Sequence, residues 1–413
     1  MKVLVIGSGG REHAICWKLA QSPNVDKIFC ATGNGGIELE HKCSNVNITK
    51  IDDLMDFVLK KNIGLTVVGP EIPLTDGIVD KFKSKGLSIF GPSLKASMLE
   101  GSKIYSKNFM KKYGIKTAEY EIFDNVNKAL KYIENCSYPV VVKADGLAAG
   151  KGVSICQNYS EAKVALEDFM IKDVFKGAGK NVIIEEFLQG VEASILTITD
   201  GNTIIPFISS KDHKQIYDGG IGPNTGGMGA IAPNPYCSEE VLKDFKENIM
   251  NPTLRGIRQE KLDYTGIIFF GIMITKKGVY LLEYNVRMGD PETQAVLPLM
   301  KSDFIDLIQA ALSGKLLDFN LEWKKGACCC VVAASKGYPV KYDSGFEIKG
   351  INSESNIFTA GVKKEDGIFK TCGGRVLSAY GIGDNLNGAI ECAYKNLKKI
   401  SFDGMYFRKD IGK

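Results

Sequence analysis

Over the first ninety residues, short apolar runs alternate with amphipathic stretches, and this alternation constrains the fold more than any other feature of the chain. Runs at 2–6, 27–31, 66–68 and 88–90 read as strands, and stretches at 12–21, 51–61 and 77–85 read as helices. The order predicts an open parallel α/β sheet covered by helices. In such a sheet ligands gather at the carboxyl ends of the strands. After Gly91-Pro92 a charged helical stretch, 94–113, leads into a second unit with strands at 139–144, 152–157 and 181–186, a small α+β lobe. Strand-like runs at 194–199, 204–210, 266–275 and 279–284 predict an antiparallel platform, followed by a helix near 303–312. From about residue 327 the chain is strand-rich again and carries a helix around 388–399. No solenoid repeat or low-complexity linker interrupts it. A length of 413 residues exceeds what one hydrophobic core supports, so several domains with clefts between them are expected.

A net charge of +4 without long like-charged runs argues against a nucleic-acid arm and leaves anionic small substrates open. The longest apolar stretches, such as 266–274, fall far short of the roughly 20 residues a bilayer requires. The N-terminus reads as a strand entering a glycine turn, with neither a basic n-region nor a cleavage site, so a cytoplasmic location is expected. The only cluster among eleven cysteines, Cys328-Cys329-Cys330, would point alternately to opposite faces of a strand. Buried free thiols in a reducing compartment are the expectation.

The run Gly7-Ser8-Gly9-Gly10-Arg11-Glu12-His13 follows a strand and opens a helix, where backbone N–H groups and the helix dipole can receive a phosphate. A tight turn without a ligand is the other reading. Glu12 stands where the dinucleotide fingerprint needs glycine, and Ala31-Thr32-Gly33 closes the second strand without an acid, which disfavours nicotinamide binding. Gly69-Pro70-Glu71 sits at another strand end, and the two loops can line one pocket.

A stronger signal runs from Val140 through Lys143-Ala144-Asp145-Gly146-Leu147-Ala148-Ala149-Gly150-Lys151-Gly152. A buried strand ends in a lysine, a loop of small residues follows, then another strand. Small residues let backbone lie against an anion, and Lys143 and Lys151 supply charge for phosphates. The Walker spacing is missing, so a different nucleotide fold is implied. The strand Val182-Ile183-Ile184-Glu185-Glu186-Phe187-Leu188 can offer its edge to a flat base, with Glu192 placed to accept from ribose hydroxyls.

The chemistry is expected at 279–294. Strand alternation puts Glu283, Asn285 and Arg287 on one face. A carboxylate and an amide oxygen there suit Mg²⁺ (or Mn²⁺) that also keeps water and phosphate oxygens, and Arg287 can grip a carboxylate or phosphate bidentately. Asp290-Pro291-Glu292 adds carboxylates and a turn. Between these segments come Lys211-Asp212-His213-Lys214 and a glycine loop at 218–229, expected to close over a substrate with its backbone donors. His213, beside two lysines, is assigned no catalytic role.

Gly7-Ser8-Gly9-Gly10-Arg11-Glu12-His13-Ala14, Gly69-Pro70-Glu71, the Lys143 to Gly152 loop, Gly222-Pro223-Asn224-Thr225-Gly226-Gly227-Met228-Gly229 and Arg287-Met288-Gly289-Asp290-Pro291-Glu292 occur in one order over nearly the whole chain. In these motifs the sequence resembles the phosphoribosylamine–glycine ligase family of the ATP-grasp superfamily. The resemblance implies that ATP, glycine and 5-phosphoribosylamine give glycinamide ribonucleotide, ADP and phosphate through a glycyl-phosphate. It implies four parts: an N-terminal α/β substrate-binding (pre-ATP-grasp) domain at 1–100, an ATP-grasp core with metal and reaction centre at 101–122 and 192–326, a mobile nucleotide lobe at 123–191, and a small strand-rich α+β domain at 327–413.

By matching position, Lys103, Lys143 and Lys151 would contact ATP phosphates, Glu185 and the backbone of Glu186, Phe187 and Leu188 would meet adenine, and Glu192 would bind ribose. Glu283 and Asn285 would hold the metal. Gly9, Gly10, Glu71, Asp212, Asn224, Thr225, Gly226, Gly227, Met228, Asp290 and Pro291 would face the substrates. Arg287 would take the glycine carboxylate, with Lys143 and Asp212 beside it in the catalytic set. Small-molecule substrates, a monomer and a transient contact with the preceding amidotransferase are implied, without nucleic acid or membrane. Gln215 and Gly220 depart from the arginine and aspartate usual in the family.

Three rivals make different predictions. Another ATP-grasp carboxylate–amine ligase would release ADP with a different acid or amine. An oxidoreductase would bind nicotinamide or flavin saturably. A silent binding protein would have no need of Lys143, Glu283, Asn285 and Arg287 together.

Overall fold

The computed structural model describes residues 1–147, 152–175 and 177–413. Five parallel strands form the first sheet, in the spatial order Cys43–Asn45, Lys27–Thr32, Lys2–Gly7, Leu65–Val68, Ile89–Phe90. The expected helices follow their strands, at Gly10–Ala20, Ile51–Lys61 and Ile78–Ser84. The 94–113 stretch is two helices, Leu94–Gly101 and Lys103–Tyr113. Ser102 breaks them apart, leaving helical geometry and accepting from the Tyr105 N–H to cap the second.

The small lobe is a four-stranded antiparallel sheet, Tyr120–Phe123, Val182–Glu186, Val140–Ala144, Val153–Cys156, with its own core under helices Val126–Ile133 and Tyr159–Met170. The platform is likewise antiparallel, in the order Ile204–Pro206, Val191–Thr199, Gly266–Thr275, Gly278–Asn285. The third large sheet is not confined to the last region. Lys211–Asp212 and Gly229–Ala232 join Ala327–Ser335, Arg375–Gly383 and Ile357–Thr359 in it. Residues 218–229, expected as an irregular loop, contain a strand, Ile221–Asn224, hairpinned to Gln215–Tyr217.

Cys328, Cys329 and Cys330 lie buried on Ala327–Ser335, and all the cysteines are free. No helix among the described residues is long and apolar enough to cross a membrane.

Candidate active site

A cleft of about 510 Å³ opens where the small lobe, the platform and the first sheet meet. On the lobe side, strand Val140–Ala144 delivers Lys143 diagonally across from Glu185 of Val182–Glu186, its Nζ 2.8 Å from Oε2. Lys107, from the helix that Ser102 caps, reaches the other oxygen at 3.1 Å. All three side chains are buried. Burial lowers the Lys107 pKa to about 8 against the pull of Glu185. Lys103, four residues earlier and so on the same helix face, donates to the Gly146 carbonyl at 2.9 Å. Lys151 lies outside the described residues.

Across the cleft the platform strand Gly278–Asn285 carries a bulge. Gly271 pairs with Glu283 and Ile272 with Leu281, so Leu282 is the extra residue. From the bulge onward Glu283 and Asn285 turn to the cleft, while Tyr284 packs into the core. Surrounding protein works against the charge on Glu283. Lys214, Lys143, Lys103 and Arg287 together outweigh it and hold the carboxyl below its ordinary value. Among the described residues no cluster of three or more His, Cys, Asp or Glu could cage a metal. One open carboxylate and the Asn285 amide oxygen, amid phosphate-binding charges, fit instead a hard cation that takes its remaining ligands from water and phosphate.

Arg287 is already engaged. Its Nε lies 3.2 Å from Glu71 Oε2, and its Nη2 lies 2.8 Å from Glu100 Oε1 and 3.1 Å from Asn285 Oδ1. Glu192 is paired as well, with Lys214 Nζ at 2.6 Å.

Of the expected site residues, Lys103, Lys143, Glu185, Glu186, Phe187, Leu188, Glu192, Glu71, Asp212, Asn224, Thr225, Gly226, Glu283, Asn285, Arg287 and Asp290 line this one cleft. Gly9, Gly10, Gly227, Met228 and Pro291 stand outside its lining, each for a physical reason. The Gly9 N–H, which a phosphate would use, donates to Glu12 Oε2 at 2.6 Å. A side chain on Gly10 would run into Gln294. Gly227, at φ +110°, turns against Pro291, and Met228 is fully buried in the core of the third sheet. Asp290 is itself a junction: it accepts from the Arg11 N–H at 3.2 Å and from Gln294 at 2.8 Å, and pairs with Arg375 at 3.2 Å.

Arg11, Glu100, Lys107, Lys214, Glu292 and Arg375 also line the cleft. Arg11, Lys214 and Glu292 stood inside motifs already noted. The other three reach the cleft from a helix end, a helix face and a distant strand, where spacing alone carries no signal.

The same architecture recurs in the biotin carboxylase domain of the Hydrogenobacter thermophilus 2-oxoglutarate carboxylase, with a TM-score of 0.73 over 98% of this chain and 91% of that one, at 16% identity. That likeness gives the fold alone. Sequence models described as the N, ATP-grasp (A) and C domains of phosphoribosylglycinamide synthetase match residues 1–100, 101–293 and 328–413. The phosphoribosylamine–glycine ligase of Clostridium acetobutylicum is 64% identical over the whole of both chains. That of Fusobacterium nucleatum is 56% identical over all of this chain and 98% of its own. The crystal structure of the Thermotoga maritima enzyme superimposes with a TM-score of 0.88 over the full length of both, at 34% identity. The chain belongs to the phosphoribosylglycinamide synthetase family, whose core is the ATP-grasp fold.

Proposed function

We propose that the protein joins glycine to 5-phosphoribosylamine at the expense of ATP, giving glycinamide ribonucleotide, ADP and phosphate. The observation that carries this reading is one cleft with Lys143 of the small lobe and Lys107 of the neighbouring helix buried on one side and Glu283, Asn285 and Arg287 at the opposite strand end. Glycine carboxylate is a poor electrophile and gains a leaving group by attacking the γ-phosphate of ATP. Lys143 and Lys103 stand where they can neutralise the triphosphate tail, and the edge at 186–188 suits the base. Bound at Glu283 and Asn285, Mg²⁺ or Mn²⁺ would polarise phosphoryl oxygens.

Arg287 is the anchor for the glycine carboxylate, which must displace Glu71 or Glu100; those two carboxylates then suit the glycine ammonium group. The hairpin and turn at 215–229, with the small lobe, keep water from the acyl-phosphate. The domain division at 1–100, 101–122 with 192–326, 123–191 and 327–413 is part of this reading, as are a monomeric enzyme in the cytoplasm and a transient contact with the enzyme that supplies the amine.

ADP release with glycine and freshly generated phosphoribosylamine, each omitted in turn, tests the reaction; release that ignores either omission refutes it. Glu283→Ala is expected to abolish divalent-metal-dependent turnover while circular dichroism and melting stay those of the wild type. Unchanged kinetics in that variant would remove Glu283 from the metal site.

A further inference from the structure

Around the cleft Glu185, Glu192, Glu71, Glu100 and Asp290 are ion-paired. Among the described residues Glu186, Glu283, Asp212 and Glu292 line the cleft without an ion-pair partner. Glu186 is exposed and accepts from the Glu119 N–H, and Glu283 is the open carboxylate suited to the cation, which leaves Asp212 and Glu292. Asp212 Oδ1 is sealed from solvent and has no hydrogen-bond partner. Glu292 is 5% exposed and accepts one hydrogen bond, from Ser194 Oγ at 3.0 Å. The two are brought together by Gly227: a β-carbon there would stand 2.5 Å from Asp212 Oδ1 and 2.4 Å from Pro291 Cδ, the residue before Glu292. A buried carboxylate without partners is costly, and one with another carboxylate beside it holds a proton more tightly.

We propose that Asp212, backed by Glu292, is the proton acceptor of the second half-reaction. The inference rests on the ligase reading above. The first half-reaction, attack of a carboxylate oxygen on phosphorus, releases no proton and needs no base. In the second, the amine lone pair forms the C–N bond, the C–O bond to phosphate breaks, and its electron pair leaves with the phosphate. The nitrogen must shed one proton, which passes to the Asp212 carboxylate at its cleft side and from there to the departing phosphate.

The surroundings suit the task. Burial pushes the Asp212 carboxyl well above its ordinary value and Glu292 adds to that; Lys214 and Arg375 oppose it, and Glu192 is the remaining charge that raises it. Glu292 is raised by burial as well. Such a group is a stronger base than an exposed aspartate.

Hydroxylamine separates the half-reactions, because it is nucleophilic enough to capture glycyl-phosphate as glycine hydroxamate without the enzyme's base, its proton going to water or the departing phosphate. Asp212→Asn is expected to lower the ratio of ligation to hydroxamate formation by about 100-fold or more, and to erase the acidic limb of the kcat–pH profile. Glu292→Gln, which can keep the Ser194 hydrogen bond, is expected to move that limb to lower pH. A ratio within threefold of wild type in Asp212→Asn, or equal loss of both activities, overturns the proposal, as does an unmoved limb in Glu292→Gln. A wild-type enzyme that yields no hydroxamate from glycine and ATP overturns instead the ligase reading beneath it.

Discussion

His213 is adjacent to Asp212 and has a different role. Its Nδ1–H donates to the Gly229 carbonyl at 3.2 Å and its Nε2 accepts from the Gly412 N–H at 3.2 Å, so both nitrogens are spent on tying strand to tail. Burial, with Lys211 and Arg408 nearby, lowers its pKa from 6.5 to about 4. The folded state therefore keeps this imidazole neutral while the unfolded chain takes up a proton below pH 6.5. The sign follows: the contribution is intact above about pH 6.5 and is lost progressively as pH falls toward 4. At 1.36 kcal/mol per pKa unit, acidification from pH 7 to 5 costs about 2 kcal/mol at this residue. His213→Gln, which can still donate and accept, is expected to flatten the fall in urea midpoint over that range. An equal fall in both proteins would deny His213 this role.

Arg375 shows how one strand governs a turn that belongs to another segment. From Arg375–Gly383 its Nη1 donates to the Gly226 carbonyl at 2.5 Å and the Asp290 carbonyl at 2.8 Å, while Tyr338 Oη accepts from the Gly226 N–H at 3.0 Å. Arg375→Ala is expected to speed amide hydrogen exchange at 226–228 and to raise the KM for the amine substrate by about tenfold, the scale of one lost charge-assisted hydrogen bond. Unaltered exchange there would show that the turn holds itself.

Much at this scale was legible in the sequence. The parallel sheet, the lobe and the platform follow from periodicity, because each strand repeats a buried pattern over several residues. Leu282 escaped because a bulge leaves no compositional mark, and Arg375 escaped because its partners, backbone carbonyls and the Asp290 carboxylate, lie 85 to 149 residues away. Gln215 pairs with Asn224 across the hairpin, and Gly220 lies in its turn, where a β-carbon would stand 4.0 Å from Gln215 Oε1.

At the scale of the molecule, the first and last parts of the chain are joined by a buried polar knot. The Thr359 N–H donates to His13 Nδ1 at 2.8 Å, so His13 Nε2 carries the proton it gives to Glu40 Oε1 at 3.1 Å. Thr359 Oγ1 donates to Asn34, whose amide in turn reaches the carbonyls of Ser8 and Thr359, each at 2.8 Å. Thr359→Val keeps the shape and leaves Asn34 Oδ1 without this buried donor. A loss of about 1–3 kcal/mol in chemical denaturation is expected, and a loss below 0.5 kcal/mol would mean that water replaces the hydroxyl.

The third sheet has a wider consequence. Both feet of the 213–228 segment stand on strands hydrogen-bonded into a sheet built mainly from residues after 326. The reacting groups therefore cannot be transplanted by cutting between modules. Any recombinant that inherits the lysine-bearing lobe and the Glu283 strand, yet takes its last quarter from another lineage, inherits a cleft whose roof has lost its moorings.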